Sequence, residues 1–168
     1  MFVLYQDWRQ ADEELESAAL RDAHQAYASY LEAQRHLFPS EAFEFATAPW
    51  HHNYLDPRAL HDSWVVSVSI YQTSPSSTGS GGTSNADIEL LGAYHDGHLQ
   101  LRYEGIHRYS IDRQDVTLGP TEIYRDEVRL TDSGRVLHEI EFLAKSNWTI
   151  ECDNLIATWV PLNVASKV

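Results

Sequence analysis

The feature that most constrains this chain is a change of hydrophobic period near residue 60. Before it, apolar residues recur every three or four positions, the repeat of a helix with one buried face. After it they alternate, the repeat of a strand with one buried face. Leu15, Ala19, Ala23, Ala26, Tyr30, Ala33 and Leu37 form the helical stripe, and Leu20, Tyr27 and Leu31 widen it. A long helix is therefore expected over 8–37. Asp7 with Gln10 makes a capping box, the acids Asp12 to Glu16 favour the positive end of the helix dipole, and Pro39 stops the run. A short second helix is expected over 40–47, ahead of Pro49, followed by a packed aromatic and histidine-rich loop over 48–63.

Strands are expected at 64–71, 88–94, 99–103, 107–111, 122–130, 136–143, 147–152 and 155–160. Asp96-Gly97 reads as the two-residue turn of a hairpin, because that pair tolerates positive φ. Ser74 to Asn85, rich in Ser, Gly and Thr, has little to bury and reads as a mobile loop. Short strands joined by tight turns make an antiparallel meander. The expectation is one α+β domain over 1–168, with a helical segment (1–48) packed on one face of a mostly antiparallel sheet (60–160).

Composition narrows the function. The chain carries 25 acids against 12 bases, a formal charge of -13. Nucleic acid is disfavoured, since neutralising phosphates needs clustered bases, and an anionic membrane surface is disfavoured for the same reason. No apolar run approaches a membrane span. The single cysteine, Cys152, excludes an internal disulfide and favours a reducing, cytoplasmic setting. The charge suits a basic protein partner, because a field of one sign steers the other.

Four groups of residues invite a chemical reading. His51, His52, His61 and Asp62 have the ligand types for a transition metal, as a structural site or a hydrolase, although their spacing matches no ligand motif. His61-Asp62 invites comparison with phosphohydrolases named for such a pair, but those need further ligands on helices, and this pair precedes a strand. Asp62 is better read as a turn residue and His61 as a half-buried one. His95-Asp96-Gly97-His98 is assigned to a turn. Ser63 beside His61 and Asp62 has the letters of a triad, but consecutive residues cannot supply its geometry.

The sheet acids suggest a surface. Alternation puts Glu139, Glu141 and Glu151, with Arg102 and Glu104, opposite the apolar phase of their strands. The favoured reading is a non-catalytic protein without a cofactor, whose acidic face engages a basic protein partner. The metal site is the alternative.

Residues 60–158 also resemble a group of small bacterial domains of unknown function. The shared pattern is Leu60-His61-Asp62-Ser63 entering a strand, Leu101-Arg102-Tyr103-Glu104-Gly105-Ile106 ending one, and Tyr124-Arg125-Asp126-Glu127. A closing hairpin carries His138-Glu139-Ile140-Glu141-Phe142 and Ile150-Glu151-Cys152-Asp153-Asn154-Leu155. The resemblance implies an α+β fold in a bacterial cytoplasm and no particular activity. In size and charge such proteins resemble immunity proteins against bacterial toxins.

Overall fold

A computed structural model of the chain describes residues 13–73, 82–112, 122–143 and 146–162, with backbone alone for 13–19. Helix α1 (Glu13–Gln34) runs into a 3-10 turn at Arg35–Leu37 and stops at Pro39; α2 (Ser40–Ala46) follows. The expected cap at Asp7 and the first turn of the helix lie outside the described residues. The buried face of α1 is rotated from the expected stripe: Tyr27 and Leu31 are its centre, while Ala26, Ala33 and Leu37 are exposed. The two larger side chains bury more apolar area than the alanines, at roughly 25 cal/mol per Å², so they decide which way the helix faces.

Among the described residues eight strands follow: β1 (Trp64–Gln72), β2 (Ser84–Leu91), β3 (Gly97–Glu104), β4 (Arg108–Ile111), β5 (Ile123–Leu130), β6 (Val136–Phe142), β7 (Asn147–Cys152) and β8 (Asn154–Pro161). They form two antiparallel four-stranded sheets, ordered β1-β2-β3-β8 and β4-β7-β6-β5. The α+β expectation holds, with the meander divided in two. The division occurs where a pair of neighbouring chains turns a corner together. β3 leads into β4 through Gly105, and β7 leads into β8 through Asp153. Asp153 N–H donates to the Glu104 and Gly105 carbonyls at 2.9 and 3.1 Å, so pairing continues around the bend. Gly105 has φ +64°, and a Cβ there would lie 2.2 Å from the Asp153 carboxylate, so the corner requires glycine. At the other side the sheets are tied by the Trp64–Glu122 bridge and by Ile123 N–H donating to Ser63 O at 3.0 Å.

Ser84 and Asn85 belong to β2, and residues 74–81 of the expected loop lie outside the described residues. The hairpin at Asp96-Gly97 forms, but not with a two-residue turn. β2 ends at Leu91, and His95, not Asp96 or Gly97, takes a left-handed φ of 55°. Gly97 serves packing: a Cβ would sit 2.1 Å from the Trp159 ring.

One apolar cluster fills the interior. It joins Ile88, Leu90, Leu99 and Leu101 of the first sheet to Val128, Ile140 and Ile150 of the second, with Tyr27, Leu31 and Phe45 from the helical segment. Helix α1 closes the edge of β5. The Tyr27 hydroxyl donates to Val128 O at 2.7 Å and accepts from Val128 N–H at 3.2 Å, and Tyr30 accepts from Leu130 N–H at 2.8 Å.

Candidate functional site

A buried polar chain crosses the core. Asp126 lies on the inward phase of β5 with Val128, and His138 on the inward phase of β6 with Val136, Ile140 and Phe142. The loop after α2 brings His51 between them and Phe45, whose ring stacks on the imidazole with centroids 4.1 Å apart. Asp126 Oδ2 lies 2.7 Å from His51 Nε2 and 3.0 Å from His138 Nε2. His138 Nδ1 lies 2.7 Å from the hydroxyl of Tyr103, on β3 of the other sheet. All four residues are at most 3% exposed.

The hydrogen bonds fix the protons. A carboxylate oxygen with two imidazole partners accepts from both, so each Nε2 carries a proton. A neutral His138 then accepts the Tyr103 proton at Nδ1. Burial alone raises the Asp126 carboxyl; a protonated His51, with the hydrogen bonds from His138 and His51, outweighs it and holds the group well below the usual carboxylate range. Burial first, then nearby Cys152 and Asp126, push the Tyr103 phenol well above its usual range, so it stays a donor.

Among the described residues, two buried side-chain nitrogens are without a hydrogen-bond partner: His51 Nδ1 and His52 Nε2. Their rings are stacked, with centroids 4.1 Å apart and planes at 19°. Burial, then the neighbouring His51, lowers the His52 pKa from 6.5 to about 3, so its imidazole is neutral near pH 7 with a free lone pair. A nitrogen of each histidine and an oxygen of Asp126 all lie within 4.8 Å of one another. Tetrahedral zinc, with bonds near 2.0 Å, spaces its ligands about 3.4 Å apart, inside that span. His52 also lines a cleft of about 480 Å³ with His24, Tyr27, Glu32 and Asn53. His24, on α1, presents its ring edge to His52 at 5.9 Å.

His61 and Asp62 are not part of this group. His61 Nδ1 pairs with Asp62 Oδ2 at 3.0 Å, and its ring packs against Tyr54 at 4.5 Å. Asp62 has φ +62°, a conformation that aspartate tolerates better than most residues. Ser63 is buried and donates to Leu60 O. The expected acidic surface is distributed over both sheets: Arg102 and Glu104 on β3, Glu139 and Glu141 on β6, Glu151 on β7. Each of the three glutamates faces an arginine: Glu139 holds Arg129, Glu141 holds Arg125, and Glu151 lies 3.3 Å from Arg135. Arg102 holds Asp87 at 2.9 Å.

Sequence reasoning brought out His51 and His52 and missed Asp126, His138, Tyr103 and His24. The signal was present for three of them. Asp126 and His138 are polar residues in the apolar phase of their strands, which calls for a partner. His24 stands three positions before Tyr27, on the same face of the helix. No family model, curated protein or solved structure matches the chain.

Proposed function

We propose that this protein binds a transition-metal ion, zinc foremost, through His51 Nδ1 and His52 Nε2. Asp126 holds His51 in the required tautomer. The observation that carries this reading is the pair of unpartnered buried nitrogens on stacked, adjacent imidazoles. A ligating histidine almost always gives its other N–H to a carboxylate or carbonyl, and His51 gives Nε2–H to Asp126. Imidazole donors suit zinc, copper, iron and nickel. The cleft beside His52 supplies an approach for the ion and for further ligands, and zinc with an open position would activate water there. Metal binding is preferred over capture of a basic partner because Glu139, Glu141 and Glu151 are occupied with arginines. An acid so paired offers a weaker field to a visitor.

The test uses protein purified without a histidine tag, stripped with chelator and titrated with zinc. One equivalent should bind and raise the melting temperature. His52→Ala should abolish binding, and Asp126→Asn should weaken it roughly 10–100-fold, the usual effect of losing a carboxylate behind a ligand. Binding of less than a tenth of an equivalent, with no shift in melting temperature, refutes the site.

A further inference from the structure

Among the described residues the two sheets have four edge strands, and three are protected. β5 is closed by Tyr27 and Tyr30. β8 packs against α2, where Phe45 and Trp50 share a crevice with Ile156 and Ala157. β4 is four residues long and begins with Arg108. β1 is nine residues long, rich in β-branched residues and free of charge. Among the described residues its outer side meets only the bridge at Trp64. Val66, Ile70 and Tyr71 are 51%, 41% and 39% exposed. Proteins blunt long edges with charge, proline or cover, because a bare edge is a template for another strand. This edge carries none of the first two, and its one irregularity lies near Val66, leaving Ser67–Gln72 in regular pairing.

We infer that β1 pairs antiparallel with β1 of a second copy of this chain, about a two-fold axis at Ser69. The sequence is self-complementary about that point: Ser69 faces Ser69, Val68 faces Ile70, and Ser67 faces Tyr71. Residues opposed across an antiparallel pair share a face, so valine and isoleucine cover each other on one side and hydroxyls meet on the other. Charge does not oppose a second copy at this edge. A chain of net charge -13 repels itself, and any shared interface must keep acids apart. With two β1 strands at the centre, Asp87 on β2 is three strand spacings from its counterpart, roughly 14 Å. That exceeds the screening length of about 8 Å at physiological salt.

Sedimentation equilibrium of the full chain tests the pairing. The wild type should reach twice the monomer mass of 19.2 kDa as concentration rises. Ile70→Glu places a carboxylate against Val68 of the other copy; it should halve the mass while leaving the circular dichroism spectrum unchanged, because Ile70 is already partly exposed. Ser69→Cys, on the axis, should form a disulfide-linked dimer under mild oxidation, and Ser67→Cys, displaced from its own copy by four residues, should not. A wild type that stays monomeric at several hundred micromolar overturns the inference. So does a dimer that survives Ile70→Glu, or cross-linking by Ser67→Cys that equals that of Ser69→Cys.

Discussion

Replacing His52 with phenylalanine should flatten the acid side of the stability curve of the metal-free protein. The imidazole titrates near 6.5 when the chain is unfolded and at about 3 when folded, because burial and the adjacent His51 oppose its charge. Between those values the unfolded chain holds a proton that the folded chain does not. Stability is therefore full above pH 6.5 and is lost as pH falls towards 3, at up to about 1.4 kcal/mol per pH unit. From pH 7 to pH 4.5 the loss from this one group is about 2.5 kcal/mol. Asp126 acts lower. Its carboxyl is depressed from 3.8, so its contribution persists above that value and fails below it. Keeping the pH at 4.5 or higher separates the two. His24 is also lowered by burial and remains in the variant, so a shallow slope should survive. Phenylalanine preserves the packing against His51 and Tyr27. Urea denaturation with chelator present, at both pH values, gives the comparison. If wild type and His52→Phe lose the same stability on acidification, His52 takes up its proton as readily folded as unfolded, and the reasoning from burial fails.

Two further outcomes follow from the packing. Tyr27→Phe removes the hydroxyl that serves both the N–H and the carbonyl of Val128, and should cost about 1–3 kcal/mol in urea denaturation; a loss below about 0.5 kcal/mol would mean that water replaces it. Gly97→Ala drives a methyl into the Trp159 ring and should cost about 1–3 kcal/mol with a changed near-ultraviolet spectrum, and a neutral result would show that the ring moves aside freely.

Periodicity located the elements because it is a local signal. β5 and β6 begin and end within a residue of their expected bounds, and in β6 every second residue is buried. The division into two sheets is not local. β8 pairs with β3, whose residues lie 50 to 64 positions away, and nothing in either segment names the other. The turn at residues 92–97 shows a different limit. Asp-Gly permits positive φ, but the ring of Trp159 claims Gly97 for close packing, so the left-handed residue moved to His95. In the candidate site, adjacent His51 and His52 were visible as residue types, whereas His61 and Asp62 were joined to them only by proximity in the sequence. The backbone at Asp62 instead pairs its N–H with Ile123 O at 2.9 Å, at the tie between the two sheets.

The charge balance in the core also favours a cation. If His51 is neutral, Asp126 keeps a full negative charge in a place about 3% exposed, supported by two hydrogen bonds from uncharged rings. If His51 is protonated, the charge is balanced, but Nδ1–H becomes a buried donor without an acceptor, at a cost of about 1–3 kcal/mol. Neither state leaves the group satisfied, and His52 Nε2 adds a second unpaired atom in both. A divalent ion at the edges of the two rings, in reach of both nitrogens, would remove both defects at once. It would take the two lone pairs and set positive charge one imidazole away from Asp126. The remaining links, from Asp126 through His138 to Tyr103, are already satisfied and buried, so they brace the carboxylate rather than bind anything themselves.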